Sequence, residues 1–210
     1  MLDRIKAVLF DYGGVISTKQ VPEEIEAMLD LVKVDEEQFQ HWYYYYRPFY
    51  DRGSTGEEYW QKVLGACGVD YKRELVMKLI THDLRSWTRL NPAMLEWAAE
   101  LKSGGYRLGI ISNMVKEILA YMQANFAWLQ GDLFASQVYS CVWGVTKPDP
   151  GIYQISLEEI GFSAGECLFI DDTEANVKAA QKLGFSVYHY RGPDDLAALK
   201  SFLHNSRLLY

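Results

Sequence analysis

The chain has 210 residues, of which 49% are hydrophobic and 23% charged, with a net charge of −7 at pH 7. This is the composition of a globular protein and excludes a disordered chain. With no cluster of Lys and Arg to offset the negative charge, nucleic acid is excluded as a partner. No apolar run is long enough to span a membrane.

The first element predicted is a strand at Val8-Leu9-Phe10, an unbroken apolar run of the kind buried on both faces of a parallel sheet. It ends on Asp11 and turns through Gly13 and Gly14, which permit backbone angles closed to other residues and let the main chain approach a ligand. Asp11 is expected either to face a ligand at the sheet's carboxyl edge or to cap its own turn. Residues 21–83 then read as successive helices. Pro22, Glu23 and Glu24 suit a first turn, with Ile25, Met28, Leu29 and Val32 on one face. A second helix runs from Glu36 into "HWYYYYRPFY". Thr55 and Glu58 have the spacing of a capping box, ahead of an apolar face formed by Tyr59, Trp60, Val63 and Leu64. Another helix follows at 72–82.

From Pro92 the pattern alternates. A helix over 92–103, a strand at 107–112 and a helix over 115–125 precede apolar strand material at 133–143. A helix ending at Gly161, a strand at 167–170, a helix ended by Gly184, a strand at 186–190 and a terminal helix complete the order. Strands separated by helices predict an α/β fold, a parallel Rossmann-like sheet with helices on both faces. The expected organisation is a core of residues 1–16 and 87–210, with an all-helical insertion at 17–86 able to cover a ligand at the strand ends. Cys67, Cys141 and Cys167 lack metal-ligand spacing. Cys141 and Cys167 fall in strand-like runs, and the cysteines read as small buried hydrophobes. No secretory leader is evident, so a soluble cytoplasmic protein is expected.

Three further strand ends or loops of the core carry polar groups: Ser112 and Asn113 after "GII", Lys147 in "TKPDP", and Asp171 and Asp172 after "LFI". Each has a structural alternative, since Ser112 or Asn113 could cap the next helix, as could Asp172 or Thr173, and Lys147 could be solvated. Adjacent carboxylates, however, disfavour one another unless a cation compensates them. Mg²⁺ takes oxygen ligands from one or two carboxylates plus substrate phosphate, and Asp11, Asp171, Asp172 and the Gly13 carbonyl offer such a set. Ser112, Asn113 and backbone N–H groups near Gly14 and the following helix start suit phosphate oxygens, Lys147 suits transition-state charge, and Asp11 is placed to attack phosphorus.

This set resembles the haloacid dehalogenase superfamily, with "VLFDYGGV", "IISN", "KPDPGIY" and "LFIDDTEANVKAA" as its four motifs in order and the helical insertion similar to a C1-type cap. The resemblance implies Mg²⁺ dependence and a small phosphorylated substrate, with Asp11 as nucleophile and metal ligand, the Gly13 carbonyl as a ligand, Ser112 and Lys147 as phosphate binders, Asp172 as direct metal ligand and Asp171 acting through water. Gly13 departs from the family pattern, which places a proton-transferring aspartate there. Three readings follow. One is a phosphatase of sugar phosphates, whose anomeric leaving oxygen needs less acid help, with water or a residue of the helical insertion handling the proton. Another is a metal-free haloacid dehalogenase, against which both aspartates at 171 and 172 argue. The third is a binding protein that has lost turnover. In the aromatic run, at most one or two of Tyr43 to Tyr46 are expected to face a pocket, Arg47 is a candidate anion contact, His41 could serve as a substitute acid but as a lone histidine is expected to be structural, and Asp51 and Glu57 are expected to be solvated.

Overall fold

A computed structural model describes residues 5–208. β1 (Ala7–Phe10), β2 (Arg107–Ser112), β3 (Ser136–Tyr139), β4 (Cys167–Asp171) and β5 (Ser186–His189) form one parallel sheet in the order β3-β2-β1-β4-β5. The predicted fold class is the observed one. β1 is central because both of its faces are covered. Val8 and Phe10 pack into one apolar cluster with Ile110, Leu168 and Ile170, while Ala7 and Leu9 pack into the other with Ile111, Val138 and Phe169. The alternation of period two explains why this strand reads as a continuous apolar run.

α5 (Pro92–Ser103), α6 (Lys116–Asn125) and α11 (Leu196–Leu208) supply Met94, Trp97, Ile118, Met122, Leu199 and Leu203 to the first cluster. α9 (Pro150–Ile160) and α10 (Glu174–Lys182) supply Ile152, Tyr153, Ile160 and Ala180 to the second. The chain fills the β2 side of the sheet first and then crosses to β4, so the strand order reverses between β1 and β4. That is where open α/β sheets bind ligands.

Between β1 and α5 lie α1 (Pro22–Val32), α2 (Glu36–Asp51), α3 (Gly56–Ala66) and α4 (Arg73–Trp87). α1 starts on Pro22, as expected. The Thr55 hydroxyl accepts the Glu58 N–H at 3.2 Å and the Glu58 carboxylate accepts the Thr55 N–H at 2.8 Å, completing the predicted capping box. α4 continues five residues past the expected end at 82, to Trp87, because Asp83 and Ser86 are buried on its inner face. These helices join through aromatic packing, with Phe39 stacked on Trp60 and Tyr50 on Tyr59. They share the first apolar cluster with the sheet.

Two expectations are corrected. The apolar run at 133–143 pairs with β2 only over Ser136–Tyr139. After α7 (Ala127–Gln130) and β3, the chain coils into the single turn α8 (Ser140–Trp143), ended by Gly144 at φ 71°. Cys141 therefore lies on that helical turn, not in a strand. All three cysteines are free and buried, as expected. β5 ends at His189, one residue earlier than read.

Candidate active site

The strand register sets the centre of the site. Phe10 pairs with Ile170, so the next residues, Asp11 and Asp171, leave adjacent strand ends together. The Asp11 N–H donates to the Ile170 carbonyl at 2.8 Å. Carboxylate oxygens of Asp11, Asp171 and Asp172 lie within 4.8 Å of one another. Asp171 is fully buried, and the Lys147 ammonium, 3% exposed, joins it to Asp11 with contacts of 2.6 and 2.7 Å. Asp171 also accepts from the Thr173 N–H at 2.8 Å and from Asn176 at 3.0 Å. These bonds satisfy its charge in an interior that would otherwise penalise it.

Asp11 Oδ1 accepts the Tyr12 N–H at 2.7 Å as well as Lys147, so the cap role is present alongside the cluster. Burial pushes the Asp11 carboxyl up to about 7; Lys147 opposes this shift, while Asp171 and Asp172 add to it. Burial works to lower Lys147, but the charges of Asp11 and Asp171 outweigh it and hold the ammonium above its ordinary value. Burial, then the Asp171 charge, raises Asp172.

The freedom expected of both glycines is needed at Gly14 alone; Gly13, at φ −66° and ψ 127°, has a backbone open to any residue. Gly14 has φ 72°, and a Cβ there would stand 2.3 Å from Asp172 Oδ2. Only glycine lets the turn pass beneath that carboxylate. A Cβ on Gly13 would meet the Trp87 ring at 3.3 Å.

A cavity of about 510 Å³ opens over this edge. Asp11, Gly13, Asn113, Lys147 and Asp172 lie at its base. Lys19, Gln20, Ile25, Tyr44, Arg47, Asp51 and Trp87 come from the segment that holds the inserted helices. Ser112, Gly14 and Asp171 stand behind this lining. Ser112 is buried, its hydroxyl donating to the Asn113 carbonyl at 3.2 Å. Neither Ser112 nor Asn113 caps α6, whose N-cap is Val115. Asn113 instead exchanges two hydrogen bonds with the Lys147 backbone, at 2.8 and 3.0 Å, and so ties the second motif to the third. Thr173 occupies the N-cap of α10 without a side-chain cap bond.

Of the four tyrosines, Tyr43 is buried with its ring against Tyr59 and Trp60 of α3 and its hydroxyl on Asp83 of α4, Tyr45 is exposed, Tyr46 is half-buried, and Tyr44 alone lines this cavity. His41 is exposed and stacked on Tyr45. Glu57 is exposed, as expected. Asp51 is not. It is 6% exposed, paired with Arg47 at 3.1 Å, with its carbonyl held by the Ser140 hydroxyl of α8. Sequence reasoning missed Asp51 and also Asp83, which is 1% exposed and pairs with Arg47 at 3.1 Å. The available signal was i,i+4 spacing from Arg47 to Asp51 within an aromatic, and therefore buried, helix.

A parallel sheet carrying three carboxylates and a buried lysine at its switch point defines a Rossmann-like hydrolase. The chain belongs to the haloacid dehalogenase-like hydrolase family, whose profile matches residues 5–184. It is 28% identical to the bifunctional epoxide hydrolase 2 of Rattus norvegicus over 134 residues, 61% of this chain and 24% of that protein. The chain spans about a quarter or less of the length of the first curated relatives it matches. Over nearly whole lengths it is 27% identical to the sesquiterpene phosphatase astK of Aspergillus oryzae, covering 90% of this chain and 91% of that protein. The D-ribitol-5-phosphate phosphatase of Bacteroides thetaiotaomicron is 24% identical, covering 88% and 91%. In fold it is similar to a haloacid dehalogenase family enzyme of B. thetaiotaomicron, with a TM-score of 0.78 at 22% identity over 94% and 99% of the two chains. That enzyme is also known as a complex with magnesium and inorganic phosphate. Among the described residues no helix is long and apolar enough to cross a membrane.

Proposed function

We propose that the chain is a Mg²⁺-dependent phosphatase that hydrolyses a small phosphorylated metabolite, of the sugar phosphate class, through an aspartyl-phosphate on Asp11. The observation that carries this is the set of three carboxylates within 4.8 Å at the base of the cavity. An all-oxygen donor set fits a hard divalent cation, and Mg²⁺ bound by few carboxylates keeps room for water and phosphate. Asp11, Asp172 and the Gly13 carbonyl would hold it directly and Asp171 through water. When bound, the ion neutralises the carboxylates and the substrate's phosphate. The relatives named as phosphatases support the reaction class.

Asp11 is the nucleophile. Its Oδ1 is fixed by the Tyr12 N–H and Lys147, which orients the carboxylate. Its oxygen bonds to phosphorus as the leaving oxygen departs, and water then hydrolyses the acyl phosphate. Lys147 offsets the charge of the transferring group, and Asn113, at the base of the cavity, serves its phosphate oxygens; Ser112 and Gly14, behind the lining, would join it by giving up their present hydrogen bonds. Residues 17–86 act as a cap that holds the remainder of the substrate. Trp87 and Tyr44 offer aromatic faces, and Gln20 and Lys19 offer polar contacts suited to a sugar. The reading includes a cytoplasmic setting, which three free, buried cysteines suit.

Turnover of p-nitrophenyl phosphate with Mg²⁺, lost on chelation, is the expected result, followed by preference for sugar 1-phosphates over alkyl phosphates. Halide release from a 2-haloacid in the absence of metal would instead establish the dehalogenase reading that Gly13 allows.

A further inference from the structure

Phosphate transfer to Asp11 leaves an alkoxide that needs a proton, and Gly13 offers none. The space in front of Gly13 is taken by Trp87, 3.3 Å from where a Cβ would be. Among the described residues, the carboxyl-bearing residue that lines the cavity besides Asp11 and Asp172 at the base is Asp51, the last residue of α2.

Its place is fixed from the sheet side. The Asp51 carbonyl accepts from the Ser140 hydroxyl at 2.6 Å, and that hydroxyl accepts from the Met114 N–H at 2.9 Å, one residue beyond Asn113. The following turn comes so close to α8 that a Cβ on Gly53 would lie 2.8 Å from the Cys141 carbonyl oxygen. The end of α2 is thus pinned to the loop that follows β2.

Charge decides the protonation of Asp51. One guanidinium, Arg47, serves two buried carboxylates: Nε faces Asp51 at 3.1 Å, and Nη1 faces Asp83 at 3.1 and 3.2 Å. Asp83 also accepts the Tyr43 hydroxyl. The group therefore carries one negative charge more than its own guanidinium offsets, at the largely buried wall of the cavity. Asp83 accepts from both Arg47 and Tyr43 and Asp51 from Arg47 alone, which leaves Asp51 the less satisfied carboxyl. The charged and titratable groups that face Asp51 are Arg47 on its own helix, Tyr59 on α3, Asp83 on α4, Lys147 at the cavity base and Cys141 on α8. Burial holds its carboxyl above the usual range in spite of Arg47.

We propose that Asp51 is the general acid of the reaction, acting from the cap in place of the carboxyl missing at residue 13. The proposal rests on the phosphatase reading. As the Asp11 oxygen bonds to phosphorus and the phosphorus–oxygen bond of the ester breaks, the Asp51 O–H proton passes to the departing oxygen, which leaves as a neutral alcohol. The Asp51 carboxylate then takes a proton from the water that attacks the aspartyl-phosphate, and phosphate and free Asp11 are regenerated.

The test compares Asp51→Asn with the unaltered protein on p-nitrophenyl phosphate and phenyl phosphate with Mg²⁺. The asparagine keeps an oxygen for Arg47. Nitrophenolate leaves readily without a proton, whereas phenolate does not. The substitution is expected to lower kcat on p-nitrophenyl phosphate severalfold and on phenyl phosphate about 100-fold further, within the range typical of general acid catalysis. Asp51→Glu, which again carries a proton, is expected to restore part of the phenyl phosphate rate. Equal losses on both substrates, or no rescue by glutamate, would overturn the proposal in favour of a purely structural ion pair. If the unaltered protein hydrolyses neither ester with metal, the phosphatase reading itself is wrong, and the proposal falls with it.

Discussion

Replacing Gly14 by alanine separates stability from metal binding. Gly14 sits at φ 72° and ψ −4°, and a left-handed backbone costs a non-glycine residue about 1–2 kcal/mol. The added methyl would also lie 2.3 Å from Asp172 Oδ2 and 2.7 Å from its Cγ, far inside any real contact. Both are atoms of a side-chain end that is not locked in the core, so Asp172 rotates away and the backbone keeps its course. The stability loss then stays near the conformational term, and at about 2–4 °C per kcal/mol for a chain of this size the melting temperature falls by roughly 2–8 °C. The proposed Mg²⁺ site suffers far more, because Asp172, one of its proposed carboxylates, has been pushed out. Mg²⁺ affinity, measured by calorimetric titration, is expected to fall at least about tenfold, within the range seen when support of a metal ligand is lost. Affinity within twofold of the unaltered protein would refute the placement of Asp172 in the metal set.

Three further outcomes follow from the same contacts. Lys147→Met strips the cation from buried Asp11 and Asp171; breaking a buried pair costs about 3–5 kcal/mol, so the melting temperature should drop by roughly 6–20 °C, and less at pH 5 than at pH 8, because a protonated Asp11 needs no partner. In the metal-free protein Asp11 is protonated up to about pH 7. Its raised value means that the folded state holds a proton the unfolded chain has released, so this group's contribution to stability declines from about pH 4 to 7. Mg²⁺ requires the carboxylate, and its affinity should rise through that interval and level off above pH 7 in titrations across the range; a flat profile would contradict the assignment. Thr55→Ala removes the capping box of α3 and is expected to cost about 1 kcal/mol, read as a shift of roughly 2–4 °C in a thermal melt.

The parts of this molecule that were legible in the sequence are those governed by neighbours along the chain. Val8-Leu9-Phe10 reads as a doubly buried strand because both faces are apolar, and Asp11 and Asp171 stand out because each ends such a strand. The Thr55–Glu58 cap and the Pro22 start are local chemistry, and both appear where expected. What was not legible depends on contacts between distant segments. Asp51 sits before an Arg-Gly turn and reads as solvated; the end of its helix is in fact packed against α8, with Ser140, 89 residues away, donating to its carbonyl. The end of the strand at Tyr139 is set by the length of β2 beside it, and nothing in "SQVYSCVW" marks the change to a helical turn. Tyr43 and Tyr44 are alike in sequence. Only the packing of α2 against α3, with Asp83 of α4 taking the Tyr43 hydroxyl, turns one into the interior and leaves the other toward the cavity.

The most direct measurement is turnover of p-nitrophenyl phosphate with Mg²⁺ by the unaltered protein and by Asp11→Asn, each quenched in acid and digested to locate phosphate by mass spectrometry. The expected result is metal-dependent turnover with phosphate on the peptide containing Asp11, and loss of both in the variant. Turnover that survives Asp11→Asn, or covalent phosphate found on another residue, would contradict the assignment of Asp11 as the nucleophile.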